Sequence, residues 1–139
     1  MKTRSFPRPS KFHHRFTFRA SYFILALAFF FVEVLIALYI HDDFIRPYVG
    51  DFLVVILLYC SVRTVLKVSV LSVAIGVLIF SFLIEIGQYF HFVSLIGLGN
   101  STLARVVLGD SFATSDLLAY ALGIAVIIII ESRKQSLSF

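Results

Sequence analysis

The sequence predicts an all-α integral membrane protein, a four-transmembrane-helix bundle with a short interfacial or re-entrant helix between the third and fourth spans. Three observations predict it. Of 139 residues, 60% are apolar and only 14% charged, against roughly a quarter charged in an ordinary soluble domain, so polar surface is too scarce to coat a water-soluble globule. The apolar residues fall in long runs, and about 20 residues of helix cross a hydrocarbon core of roughly 30 Å. Finally, backbone groups in hydrocarbon must pair among themselves, which restricts a spanning chain to helices or a closed barrel. Unbroken apolar runs choose helices.

Residues 1–19 read as a basic cytoplasmic tail. Lys2, Arg4, Arg8, Lys11, Arg15 and Arg19 all precede the first apolar run, and no acid accompanies them. Such a cluster beside a span attracts anionic lipid and marks the cytoplasmic side. The interleaved Phe6, Phe12, Phe16 and Phe18 read as an interfacial anchor rather than a nucleic-acid surface. The first span runs from Ala20 to Ile40 and carries Glu33. It exceeds the apolar region of a cleavable signal peptide, and no small-x-small cleavage site precedes His41. Asp42, Asp43, Arg46 and Pro47 follow in a turn at a water interface, where the proline stops helix propagation.

The second span reaches the required length from near Tyr48 to near Leu66. Asp51 falls in its first turn, and Arg63 snorkels to the far interface. Cys60, the single cysteine, has no disulfide partner in the chain and reads as packing. Val68 to Phe90 makes the third span, with Glu85 and Gln88 near its end. In the segment 91–114, Asn100 and Ser101 supply a cap, Thr102 to Leu108 two helical turns and Gly109 a stop. That short helix presents Arg105. The fourth span runs from Ser115 to Ile130, a short crossing that opens on Asp116. Residues 20–131 therefore form one four-helix transmembrane domain, and 132–139 a cytoplasmic C-terminal tail.

Charge gives the topology a direction. With the N-terminus inside, the six leading bases, Arg63, Lys67, Arg133 and Lys134 are cytoplasmic, which is ten of the twelve Lys and Arg. Only Arg46 and Arg105 fall outside, the asymmetry that the positive-inside rule expects. The reading is a multi-pass protein of the cell inner (plasma) membrane with both termini cytoplasmic.

Ionisable residues within spans cost roughly 2.5–3.5 kcal/mol each at mid-helix and point to function by default. Here they share a depth: Glu33 lies about 10 Å and Glu85 about 8 Å from the outer boundary, with Asp51 and Asp116 in first turns at that face. Glu85 and Gln88 share one helix face. Asp116, Tyr120 and Gly123 share another, and Gly123 permits close approach of a neighbouring helix. The candidate binding set is Asp51, Glu85, Gln88, Arg105, Asp116 and Tyr120, supported by Glu33, Arg46 and Gly123. Buried ion pairs that fix helix packing are the competing account, with Arg105 the partner of Glu85 or Asp116 and Arg46 of Asp51. Four carboxylates against two arginines leave a surplus for a proton, a cation or a headgroup amine. His13 and His14 lie in the tail and His91 on another helix face from Glu85, so no metal set or cofactor is implied. Ser111 and Ser115 lack a histidine base and read as caps for span four.

Glu85-x-x-Gln88, Arg105, Gly109-Asp110-Ser111-Phe112 and Asp116-Leu117-Leu118-Ala119-Tyr120 with Gly123 resemble the small bacterial membrane proteins grouped as domain of unknown function 2809. Arg46-Pro47-Tyr48-x-Gly50-Asp51 resembles the same family's second span. More distantly the chain is similar to the VanZ-like family, with its Glu-x-x-Gln helix end, an arginine, and an aspartate opening a last helix that bears Asn and Gly. Here the arginine stands eleven residues before Asp116, and Tyr120 occupies the Asn position. The resemblance implies a bacterial cell-envelope role with Glu85, Gln88, Arg105, Asp116 and Gly123 as the functional set. It implies no known reaction. The expected partners are membrane lipid, a lipid-linked envelope precursor or another membrane protein, bound in an outer-leaflet cavity; the alternative is a membrane-embedded enzyme or proton-coupled carrier using Glu85 and Asp116.

Overall fold

Four apolar runs give four long helices. The computed structural model describes residues 16–108 and 113–137, with side chains for all of these but 106–108. Helices α1 (Ala20–Tyr39), α2 (Ile45–Val65), α3 (Val70–Tyr89) and α6 (Thr114–Leu137) are each long and apolar enough to cross a membrane. Between α3 and α6 lie the shorter α4 (Phe92–Leu95) and α5 (Thr102–Leu108). The bundle is apolar on its outside as well as its inside. On α1 only Ala26 and Ile36 are buried, while Phe31 and Leu38 are each 62% exposed. In water that surface would be a large aggregation hazard, whereas hydrocarbon solvates it.

Helix α2 packs against α1, α3 and α6, and α6 also packs against α3. Val55, Tyr59 and Cys60 of α2, Ala74 and Val77 of α3, and Tyr120, Ile124 and Ile127 of α6 form the core. The closest approach is at Gly123, where a Cβ would collide with a Val55 methyl and stand 2.8 Å from the Phe52 carbonyl oxygen. Glycine removes the side chain that would hold α2 and α6 apart. The Thr64 hydroxyl bonds back to the Cys60 carbonyl at 2.8 Å and so carries no unpaired donor into an apolar setting, whereas the buried Ser81 hydroxyl on α3 has no hydrogen-bond partner among the described residues.

Several boundaries differ from those expected. Helix α2 begins at Ile45, so Pro47 lies inside its first turn. There the missing N–H costs nothing, because first-turn donors have no intrahelical partner. Asp51 accordingly sits in the second turn. Asp42 Oδ1 accepts from the amides of Phe44 at 2.8 Å and Ile45 at 2.9 Å and so organises the entry to α2. Helix α6 continues through Glu131 to Leu137, so the last span is not short and residues 132–137 extend the helix rather than a separate tail. Residues 92–95, given no element from sequence, form α4. Ser101 Oγ accepts from the Ala104 amide at 3.3 Å, as its reading as a cap requires. The closing Gly109, Ser111 and the tail through Arg15 lie outside the described residues.

The Asp42 arrangement has a pH consequence. The Ile45 amide, then that of Phe44, holds the Asp42 carboxyl below the usual aspartate range. A folded value below the unfolded one means the stabilisation is complete above the ordinary aspartate range and is lost as pH falls through the folded value. Side-chain NMR titration in micelles is expected to place Asp42 below the range of an aspartate in an unstructured peptide. An ordinary Asp42 midpoint would contradict the capping geometry.

Candidate functional site

The start of α2, the end of α3 and the start of α6 meet at one end of the bundle, and each contributes a carboxyl. Asp51 sits half-buried on α2, Glu85 on α3 has no exposed surface, and Asp116 lies half-buried in the first turn of α6. Tyr120, one turn beyond Asp116, stands between them. Its hydroxyl lies 3.4 Å from Asp51 Oδ1 and 3.3 Å from Glu85 Oε2. The other Glu85 oxygen accepts the Ala113 amide at 3.0 Å, tying the residue that precedes α6 to α3. Asp116 stands close enough to Asp51 for their charges to interact.

Two carboxyls, Asp51 and Glu85, thus converge on one phenol, with Asp116 one turn before it on α6. Like charges gathered this closely repel, so the group calls for a compensating donor, cation or proton. Nothing in the sequence pairs Asp51 with Asp116; their meeting depends on how α2 and α6 rotate about the Gly123 contact. Among the described residues, Glu85 accepts hydrogen bonds from Ala113 and Tyr120.

The remaining sequence candidates lie around this centre. Glu33 packs from α1 toward Gly50, its Oε2 3.7 Å from where a Gly50 Cβ would stand, and its buried Oε1 has no hydrogen-bond partner. Arg46 is exposed on the first turn of α2. Gln88 and Arg105 line a cavity of about 180 Å³ with His91, Phe92, Ser94 and Gly99. Gln88 is one turn beyond Glu85, so that cavity adjoins the end of the helix that carries the carboxyl.

A second polar cluster at the opposite end of the bundle escaped sequence reasoning. Tyr22 of α1 donates to Glu131 Oε1 of α6 at 2.7 Å. Around the Tyr22 ring stand Arg63 at 5.3 Å, Lys134 at 5.6 Å and Arg19 at 5.8 Å, within cation–π range. Arg63, expected to snorkel, is instead only 7% exposed and donates to the Val68 carbonyl, closing the turn between α2 and α3. The amides of Thr17 and Arg19 donate to the carbonyls of Val65 and Thr64, each at 2.9 Å, and so satisfy two acceptors left open at the end of α2. The sequence signal was there: one acid, Glu131, stands among the bases that end the last helix.

Four apolar helices, an apolar exterior and polar clusters gathered at the two ends define a multi-pass membrane protein. The chain belongs to the family described as "Protein of unknown function (DUF2809)", whose model matches residues 40–124. That stretch begins before α2 and ends just past Gly123, and it includes Asp51, Glu85, Asp116 and Tyr120. No curated protein and no solved structure matches the chain.

Proposed function

We propose that this is a non-enzymatic, VanZ-like protein of the bacterial cell envelope, seated in the inner membrane with both termini cytoplasmic, that binds the headgroup of a lipid or lipid-linked precursor at its extracytoplasmic end. The observation that carries the reading is the convergence of Asp51 and Glu85 on the Tyr120 hydroxyl, with Asp116 one turn away on the same helix as Tyr120. A primary amine supplies the positive charge and donors that three acceptor groups lack. The adjoining cavity with Gln88, His91 and Arg105 has the opposite polarity and suits a phosphate. Helices α4 and α5 would then lie as an interfacial or re-entrant segment over the site, with protein satisfying their ends.

Native mass spectrometry of the purified chain with phosphatidylethanolamine tests this. Asp116→Asn and Tyr120→Phe are expected to lower retention of that lipid several-fold. Undiminished retention in an Asp51→Asn/Asp116→Asn double variant would sink the headgroup reading.

The gathering of Asp51, Glu85 and Asp116 at one end of an apolar bundle favours a second reading, a proton-coupled carrier or membrane-embedded enzyme using Glu85 and Asp116. Neutral isosteres separate the two. Glu85→Gln keeps much of a binding role but abolishes proton transfer, so loss of function in Glu85→Gln with lipid retention intact selects the second.

Orientation has its own test in a Cys60→Ser background. Asp43→Cys and Leu98→Cys are expected to react with an impermeant thiol reagent applied to intact cells, and Ser136→Cys is not. All three positions are exposed in the fold, so labelling reports the side of the membrane. Outside labelling at position 136 would overturn the arrangement.

A further inference from the structure

Toward the basic end of the bundle, α2 and α3 face one another across a groove of about 460 Å³. Its walls are Leu58, Val62 and Leu66 on one side and Val68, Gly76 and Phe80 on the other. At Gly76 an added Cβ would meet nothing within 4 Å, so this glycine makes no close helix contact within the chain and the space before it is open. The groove reaches the turn between the two helices. There Lys67, which is exposed, stands between the wall residues Leu66 and Val68. Beneath the same turn lies Arg63, nine-tenths buried, holding the Val68 carbonyl and with no hydrogen-bond partner for its Nε.

Hydrocarbon walls along the length and positive charge at one end match a molecule with an acyl chain and an anionic head. We propose that the α2–α3 groove binds one acyl chain of an anionic phospholipid, with the lipid phosphate at Lys67. A second copy of this chain is the rival occupant, since Ser72 and Gly76 form a small-x-x-x-small pair on α3. Copies in one membrane share their orientation. A two-fold contact through this groove would therefore bring two Lys67 side chains together at one depth, a like-charge contact with no acid in the turn 66–69 to relieve it. A phosphate there is attracted instead. This site is separate from the carboxyl cluster and does not depend on it.

The test is native mass spectrometry of the full chain with equal amounts of phosphatidylglycerol and phosphatidylethanolamine. One phosphatidylglycerol is expected to be retained, whether or not phosphatidylethanolamine is bound at the carboxyl site. Lys67→Gln should weaken that binding about fivefold, equivalent to the ~1 kcal/mol of one basic residue near an anionic surface, and leave phosphatidylethanolamine unchanged. Gly76→Leu sends a side chain into the groove from a Cβ that meets nothing within 4 Å among the described residues, so it should keep the wild-type melting temperature and lose at least about tenfold in phosphatidylglycerol affinity, in line with the CH₂ groups displaced. Failure of the wild type to retain phosphatidylglycerol would overturn the proposal, as would unchanged affinity in Gly76→Leu or a dimer that Gly76→Leu dissociates. If Gly76→Leu melts early, Lys67→Gln decides alone: unchanged phosphatidylglycerol affinity overturns it.

Discussion

Gly123→Leu is expected to yield no folded bundle, and Gly123→Ala to lose about 1–3 kcal/mol, the usual cost of overpacking a close contact. The obstruction is partly backbone. A Cβ at position 123 would meet the Phe52 carbonyl at 2.8 Å as well as a Val55 methyl, and a carbonyl inside α2 cannot swing aside as a side-chain tip does. To admit even a methyl, α2 and α6 must separate. That disturbs the Tyr120 contacts with Asp51 and Glu85 one turn away. Unfolding by a denaturing detergent, followed by circular dichroism in mixed micelles, measures the loss. Gly76→Ala is the control, because its Cβ meets nothing within 4 Å; equal losses at the two positions would refute the close-packing account.

Gly123 also marks how far the sequence could be read. Four helices were legible because apolar run length against bilayer thickness is a one-dimensional property, and the starts of α1 and α6 fell within a residue of expectation. A glycine at helical spacing from Asp116 and Tyr120 was legible as a contact, but not its partner. Which face of α2 receives it depends on helix rotation, which a single sequence does not encode at any one position. Hence the meeting of Asp51 and Glu85 at the Tyr120 hydroxyl, and of Gln88 and Arg105 along one cavity, was not legible in advance. Arg63 was placed at an interface on hydropathy alone. It turned inward because the α2–α3 turn presents the Val68 carbonyl, and because Tyr22 and Glu131 approach from two other helices. The extension of α6 past Glu131 has a similar origin. Charged residues end an apolar run without ending a helix, and bases in the last turns suit its dipole.

The second large effect is expected at Glu85. Its side chain has no exposed surface and accepts the Ala113 amide with one oxygen and the Tyr120 hydroxyl with the other. Glu85→Ala removes the acceptor of the Ala113 amide, leaves Asp51 as the acceptor for the Tyr120 hydroxyl and opens a void, for a combined loss of roughly 3 kcal/mol. Glu85→Gln retains a carbonyl oxygen for one donor and fills the same volume, so its loss should be near 1 kcal/mol. The loss in Glu85→Ala should also be local at first. Ala113 stands immediately before α6, so releasing its amide frees the start of that helix from α3 before the core around Ile124 and Ile127 gives way. Hydrogen exchange in micelles should show the amides of residues 113–117 losing protection ahead of those at 124–128. Uniform loss along α6, or equal destabilisation by Ala and Gln, would mean that Glu85 only fills space. The graded result would make it the pin that holds Asp116 and Tyr120 in place against Asp51, and so the residue on which the shape of the carboxyl site depends.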